Sequence, residues 1–185
     1  MDHAKAQGLH TFLFQDRRLE QIQNSTHQQF IREQVQRADI PETCCETMLG
    51  EAWIDLEDSG AVLVNKKDLK ALVGLLHTCW QNSAAIRDEV TYKVFYGDKE
   101  TFWLSMALTS APCTFEKHHG GIVGIMQDRT DGNGNSKTYV CGNTMAHLDS
   151  KDELSWYNGS PLQHKSRDQN AFLVPTHHMA DGHCG

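Results

Sequence analysis

The chain has 185 residues and a formal net charge of −7, with 39% hydrophobic and 22% charged residues. This is the composition of a globular protein that is long enough to bury a core. Nucleic-acid binding is disfavoured, because a phosphate backbone needs a basic face and this chain has no basic stripe. No apolar run approaches the ~20 residues of a membrane span, and the N-terminal residues lack the apolar stretch of a signal peptide.

The hydrophobic pattern predicts strands and helices in alternation, followed by paired strands. In chain order the first predicted elements are a short strand or turn at residues 7–14, a polar helix at 26–38 with Phe30, Ile31 and Val35 on or near one face, a loop at 42–50, a strand at 61–65 and a helix at 65–82. They are followed by a strand at 92–96, a helix from 98 to 108 or 109, a strand at 120–126, a turn at 131–135 and a strand at 139–147. The sequence therefore favours an α/β fold with a mixed sheet. Residues 1–165 are expected to form one domain, and 166–185 a poorly ordered tail.

The strand at 61–65 and the helix that follows it have the clearest patterns. A nearly continuous apolar run predicts that the strand is buried on both sides. Asn65 is predicted to cap the helix, with Asp68 three residues later in a capping-box-like position. Helical spacing then predicts a core-facing stripe, made of Leu69, Leu72, Val73, Leu76 and Trp80.

The cysteines leave two alternatives open. None of the six belongs to a Cys-x-x-Cys pair, which disfavours a structural zinc site. Free thiols and one or two disulfides are both compatible with the even number, and Cys113–Cys141 is the first pair to test.

The segment Tyr96 to Trp103, with the sequence YGDKETFW, places three charged residues at the start of an apolar helix. A junction between a strand and a helix is where α/β sheets bind ligands. Carboxylates beside aromatic faces, here Asp98 and Glu100 near Tyr96 and Trp103, are typical of sugar-binding sites. The alternative is a solvated helix start, in which Asp98 is only an N-cap.

The segment Asp58-Ser59-Gly60 precedes the predicted strand at 61–65. One interpretation is a local turn, in which the Asp58 carboxylate accepts nearby backbone N–H groups. The other is a polar rim, where sugar hydroxyls or a phosphate meet backbone amides.

His147 lies at the end of the last predicted strand, two residues before Asp149. A single histidine in such a place is either a packed residue or a ligand. The chain has no Gly-x-Ser-x-Gly elbow and no glycine-rich nucleotide fingerprint. A cysteine nucleophile stays open, although no cysteine has the context of a known family.

Taken together, these segments resemble the fungal α-1,3-mannosyltransferase family, glycosyltransferase family 71. The similar pieces are residues 12–17, 58–66, 96–104, 141–149 and 156–159. The YGDKETFW segment is the most specific of them, and the others support it.

The resemblance implies a partial GT-A nucleotide-diphospho-sugar transferase fold with a mixed sheet. It also implies GDP-mannose as the donor, a mannose-bearing glycan as the acceptor, retention of configuration, a divalent metal such as Mn²⁺ and a Golgi setting with a type II membrane anchor.

Carried over residue by residue, the resemblance implies a catalytic role for Asp98 and Glu100. It places Asp58, Ser59, Gly60, Lys99 and Trp103 at the donor or substrate. It makes His147 a metal ligand. Mn²⁺ accepts imidazole and carboxylate together and would neutralise a leaving diphosphate.

The chain departs from the family in one respect. The Asp-x-Asp metal motif is expected before the segment at 12–17, where almost no sequence is present, so the chain resembles the C-terminal half with the nucleotide-binding half largely missing. Little or no transfer activity is expected of it alone. The rival function is a catalytically dead glycan-binding or interaction module, and a cysteine-dependent hydrolase is a third alternative.

Overall fold

The computed structural model describes residues 10–17, 25–38, 57–130, 132–159, 162–164, 168–172 and 174–180. These residues form an α/β structure with mixed and antiparallel sheets, as the sequence predicts. The chain divides into two compact units, Met1–Glu116 and Lys117–Gly185. The predicted loop at 42–50 lies outside the described residues.

The first unit contains most of the helices. In chain order its elements are β1 (Thr11–Gln15), α1 (Ser25–Arg37), β2 (Glu57–Val64), α2 (Leu69–Gln81), α3 (Ala84–Ile86), a π-helical turn (Arg87–Thr91), α4 (Tyr92–Val94) and α5 (Glu100–Leu108). The strand β3 (Thr114–His119) crosses the division between the units. The sheet order is β2-β1-β3.

The pairing of β1 with β2 is antiparallel and interrupted. Leu13 lies opposite Val62, but the next residue, Phe14, lies opposite Asp58. Residues 59–61 therefore bulge out of the ladder. Such a bulge separates β2 into two halves whose registers are set independently.

The core of the first unit forms between β1 and α5. Its buried members are Leu13, Phe95, Trp103, Leu104 and Ala107. The helix α1 covers this core with the apolar residues that its periodicity predicts, Phe30, Ile31 and Val35. The prediction of that helix and of its apolar face is confirmed, and the three side chains are partly buried.

The prediction of a strand at 92–96 is wrong. Residues 84–94 form a nearly continuous helical stretch, and only Phe95 at its end is extended. Ile86, Val90 and Val94 recur every four residues, which is a helical period that competes with the β-branched and aromatic content of the segment.

The prediction that the strand at 61–65 is buried on both sides is also wrong. A strand forms there as part of β2, but Leu63 is 42% exposed. The physical reason is that, among the described strands, β2 pairs with β1 alone and lies at the edge of its sheet, so no described strand covers its other edge.

Two predictions about α2 need correction. The N-cap is Asp68, whose carboxylate accepts the Lys70 N–H at 2.8 Å, whereas Asn65 accepts the Lys67 N–H. The predicted core stripe is largely exposed, at 72% for Leu69 and 54% for Trp80. The buried face consists of small and polar residues, Ala71, Gly74, Thr78 and Gln81.

This reversed face of α2 packs on α5 through hydrogen bonds and close contact. Gln81 Nε2 donates to the buried Ser105 hydroxyl at 2.7 Å, and Asn82 Nδ2 donates to Thr101 Oγ1 at 2.8 Å. These hydrogen bonds across the interface let the helices pack without burying the leucines of α2.

The second unit is built on a sheet with the order β6-β5-β4-β9. Its strands are β4 (Gly121–Thr130), β5 (Ser136–Leu148), β6 (Leu154–Asn158) and β9 (His177–Met179), and a separate pair is formed by β7 (Leu162–His164) and β8 (Asp168–Phe172). The predicted hairpin of β4 and β5 is confirmed. Within the predicted tail at 166–185 the structure describes β8 and β9, and β9 pairs antiparallel with β4.

The predicted pair Cys113–Cys141 is wrong. Cys113 is disulfide-bonded, but Cys141 keeps its thiol. Cys79 is an exposed thiol on α2. No helix within the described ranges is long and apolar enough to cross a membrane.

Candidate functional site

The start of β2 and the start of α5 meet inside the first unit and bring acidic side chains together. Glu57 is 0% exposed, Asp58 is 5% exposed and Glu100 is 1% exposed. With Asp98, which lies in the loop before α5, these residues are called the acidic junction below. Burying carboxyl groups is costly unless donors meet them, so their partners decide what the junction can do.

Both buried glutamates are held by N–H donors. Glu100 Oε1 accepts the Glu57 backbone N–H at 3.2 Å, and Glu100 Oε2 accepts the Trp103 indole N–H at 2.5 Å. Glu57 Oε2 accepts the Trp103 backbone N–H at 3.1 Å. This last N–H belongs to the first turn of α5, where the backbone N–H groups have no acceptor within the helix. The Glu57 carboxyl therefore caps α5 from another element.

The predicted role of Asp98 as the N-cap of this helix is wrong. The N-cap is Lys99, with no side-chain cap bond, and Asp98 contributes its backbone carbonyl, which accepts the Thr101 N–H at 2.9 Å. The Asp98 side chain is exposed. It is therefore available to a ligand, because the helix is already capped by Glu57.

The loop before α5 also presents an aromatic ring to solvent. Tyr96 is 88% exposed, and Gly97, which follows it, has φ +92°. The loop is fixed on its other side by Phe95, which is 5% exposed in the core. An exposed ring and an exposed carboxylate therefore lie two residues apart on an anchored loop.

Lys99 is committed to an ion pair. Its Nζ lies 2.7 Å from Asp16 Oδ2, and both side chains are largely buried. The Asp16 carboxylate also accepts the Arg17 N–H at 2.6 Å. The pair ties the loop before α5 to the end of β1. The predicted contact of Lys99 with the sugar donor or substrate stays a prediction.

The segment Asp58-Ser59-Gly60 forms the bulge of β2. Asp58 Oδ1 accepts the Gly60 N–H at 2.9 Å, which is the local turn that the sequence allows. Ser59 is half-buried, and Gly60 is exposed. The predicted contact of this segment with the sugar donor or substrate stays a prediction.

The electrostatics of the junction single out Glu57. Burial, and next the neighbouring Glu100 carboxyl, raise the pKa of Glu57 well above its ordinary value, although the Trp103 N–H opposes this. Asp58 and Asp98 also raise the pKa of Glu57. Burial and these three acids favour the neutral acid over the carboxylate, and the Trp103 N–H offsets them only in part.

His147 belongs to the second unit and lies near the end of β5, as predicted. It is 1% exposed, and its ring stacks on Trp156 of β6 with centroids 4.3 Å apart and planes at 12°. Asp149 accepts the backbone N–H groups of Lys151 and Glu153 in the turn that follows, and these bonds lower its pKa.

The described residues do not fit a metal site. Across the ranges that the structure describes, no group of three or more His, Cys, Asp or Glu side chains could hold a metal ion. His147 is packed flat against an indole ring. Its assignment as a metal ligand therefore stays a prediction that these residues do not support.

Of the predicted site residues, the first unit brings Asp58, Asp98, Glu100 and Trp103 into one neighbourhood. The residue that sequence reasoning missed is Glu57. Its partners, Glu100 and Trp103, carry a usable signal, because a buried Trp needs an acceptor for its indole N–H and residues i and i+3 of a helix are neighbours. No comparable spacing connects Glu57 to them.

A comparison with protein families covers most of the chain. The model of the family described as "Mannosyltransferase putative" matches residues 6–149, which include the acidic junction and His147. This α/β chain with an acidic junction therefore belongs to a family of mannosyltransferases.

A single relative shows how much of such a protein the chain represents. The chain is 36% identical over 105 residues to an alpha-1,3-mannosyltransferase of Saccharomyces cerevisiae. The matched stretch covers 55% of this chain and 16% of that protein. The chain thus spans about a sixth of the length of the curated relative.

Proposed function

We propose that this chain is the sugar-recognition part of a mannosyltransferase, with the loop Tyr96 to Asp98 as its contact surface. Family membership supports the class of reaction, and the geometry of the first unit supports the place. The single observation that carries the proposal is an exposed ring and an exposed carboxylate, those of Tyr96 and Asp98, on the loop that leads into the buried Glu100.

In this proposal the two predicted catalytic residues have different tasks. Asp98 is exposed and can accept a hydrogen bond from a sugar hydroxyl or stabilise positive charge that develops at an anomeric carbon. Glu100 is buried beneath it and holds the start of α5 through Glu57 and Trp103. Positioning of this kind supplies a large part of transfer catalysis.

The resemblance supplies the finer terms of the proposal. They are GDP-mannose as donor, a mannosylated glycan as acceptor, retention of configuration, a GT-A fold and a Golgi setting. Mn²⁺ would assist the departure of the diphosphate. The described residues do not form a site for this ion.

A second candidate function is glycan binding without transfer. The observation that favours it is the same exposed Tyr96, at 88%, because binding needs only the loop, whereas transfer also needs a donor site.

The test separates the two. We would measure binding of a mannose disaccharide and of GDP-mannose to the purified chain by ligand-observed NMR, and mannose transfer with Mn²⁺ present. The variants are Tyr96→Ala and Asp98→Asn, and Glu89→Gln is the matched control at another exposed position. Disaccharide binding should weaken at least about tenfold in both variants but not in the control, with unchanged thermal unfolding.

Each outcome has a distinct meaning. Transfer that Asp98→Asn abolishes supports the enzyme, and disaccharide binding without transfer supports the binding module. Equal sugar binding by all four proteins, or none by the wild type, would contradict both.

A further inference from the structure

Glu57 differs from the other acids of the junction in how its two oxygens are used. Oε2 accepts the Trp103 backbone N–H at 3.1 Å. Oε1 is buried and has no hydrogen-bond partner among the described residues. An ionised carboxylate in this position would leave a charged oxygen buried without a donor, which is among the most costly arrangements in a protein interior.

Glu100 shows the opposite pattern. Each of its oxygens receives an N–H donor, one from the Glu57 backbone and one from the Trp103 indole. A carboxylate that only accepts fits this environment, because hydrogen bonds to charged acceptors are the strong ones. The two glutamates therefore occupy different sites, one suited to an anion and one suited to an acid that carries a proton.

The charged groups that act on Glu57 strengthen this difference. They are Glu100 on α5, Asp58 on β2 and Asp98 in the loop before α5, and all three are acids. Two like charges buried close together repel strongly, because little solvent screens them. One proton on the pair removes this repulsion.

We propose that Glu57 is a positioning residue that carries its proton on Oε1 and, as a neutral acid, ties the first turn of α5 to the start of β2 beneath Asp98. This inference rests on the proposed function only in that Glu57 positions the loop that carries Asp98. The proton and the cap are properties of the folded chain and are measurable without any sugar.

The cap explains why the neutral acid cannot be replaced by an apolar residue. Oε2 must still accept the Trp103 N–H, so an apolar residue would leave that donor buried and unsatisfied. Glutamine keeps an acceptor oxygen and carries no charge. Glu57→Gln therefore imitates the protonated acid, whereas Glu57→Ala removes the cap.

The first experiment measures the proton directly. The complete chain is labelled with ¹³C at glutamate carboxyl carbons, and their chemical shifts are followed from acid to neutral pH. One glutamate should keep the shift of a protonated carboxyl at pH 7, and this signal should be missing in Glu57→Gln and retained in Glu89→Gln. A fully ionised set of glutamates at pH 7 would overturn the proposal.

The second experiment measures the cap by amide hydrogen exchange at Trp103. Glu57→Gln should exchange like the wild type and keep the indole N–H resonance of Trp103 unchanged. Glu57→Ala should exchange roughly 2- to 30-fold faster, as expected for a lost helix cap. If the Trp103 amide exchanged faster in Glu57→Gln than in the wild type, and the indole resonance shifted, the proposal would be wrong.

The design does not depend on one variant folding. Should Glu57→Ala fail to fold, the carboxyl shift of the wild type and the behaviour of Glu57→Gln still decide the question. Failure of the proposed function would appear as absent sugar binding with both signatures intact, so the two failures are distinguishable.

Discussion

The acidic junction and the outer face of α2 invert the usual distribution of residues within one unit. The junction buries Glu57 and Glu100 at 0% and 1% exposure, whereas α2 leaves Leu69 and Leu76 exposed at 72% and 59%. In most proteins such glutamates lie outside and such leucines inside. The inversion shows that position follows from what each neighbour can offer and not from hydropathy alone.

The two regions bear this inversion at different costs. A carboxyl group without donors would destabilise the core, so the junction depends on N–H groups at the start of α5 and on the Trp103 indole. An exposed leucine forgoes favourable burial but leaves no group unsatisfied. Substitutions in the junction should therefore have large effects, and substitutions on α2 small ones.

The sharpest test of the comparison uses two tryptophans. Trp103 is 1% exposed and donates to Glu100, whereas Trp80 on α2 is 54% exposed. Trp103→Ala should lower the free energy of unfolding by about 3–5 kcal/mol, because it leaves a cavity and removes the donor. Trp80→Ala should cost no more than about 1 kcal/mol. Urea denaturation measures both, and similar losses would break the comparison.

The second prediction concerns pH. The Glu57 pKa is raised above 4.5 in the folded chain, so above that pH the folded state holds a proton that the unfolded state has lost. The stabilising contribution of protonated Glu57 to the free energy of unfolding is complete below about pH 4.5. It declines as pH rises, by up to about 1.4 kcal/mol per pH unit, until the pH passes the pKa of Glu57 in the folded state.

Glu57→Gln provides the reference for this effect, because it cannot titrate at that site. The difference in unfolding free energy between the wild type and Glu57→Gln should change with pH in the stated direction. A difference that is constant from pH 4 to pH 8 would show that Glu57 is ionised in the folded protein.

A smaller effect is expected where α2 packs on α5. A Cβ at Gly74 would lie 2.5 Å from Met106 Sδ, and Met106 is 0% exposed. Overpacking costs about 1–3 kcal/mol, which the better helix propensity of alanine partly offsets by about 1 kcal/mol. Gly74→Ala should therefore be destabilising by about 1 kcal/mol, and a Met106→Ala background should reduce this loss. Equal losses in both backgrounds would show that contact with Met106 is not the cause.

The smallest effect is expected on the outer face of α2. Leu76 is 59% exposed, so Leu76→Gln should change the unfolding free energy by no more than about 0.5 kcal/mol. A loss of about 2 kcal/mol or more in thermal or chemical denaturation would show that this leucine is buried in solution.

The sequence predicted those elements whose own pattern decides their structure. The helix α1 with Phe30, Ile31 and Val35, and the hairpin of β4 and β5, formed as expected, because local periodicity and turn residues suffice there. The start of a helix within the charged segment at 98–100 was also predicted, and α5 begins at Glu100.

The failures share a physical cause, which is that burial depends on neighbours that the local pattern does not contain. The stripe on α2 has ideal helical spacing, yet α5 packs on the opposite face, where Gly74 permits close approach. Residues 92–94 joined a helical stretch in spite of the strand-like content of the segment. Glu57 was missed because its capping of α5 is a contact 46 residues distant in sequence.

The bulge of β2 determines where the length of this chain can change. Phe14 faces Asp58 while Leu13 already faces Val62, so residues 59–61 are unpaired between two halves of β2 with fixed registers. An insertion or deletion among these unpaired residues would leave both registers, and the position of Glu57 at α5, unchanged. One extra residue within either paired half would shift its register by one and exchange its inner and outer faces. The unpaired residues of β2 can thus vary in length without disturbing Glu57 and Glu100.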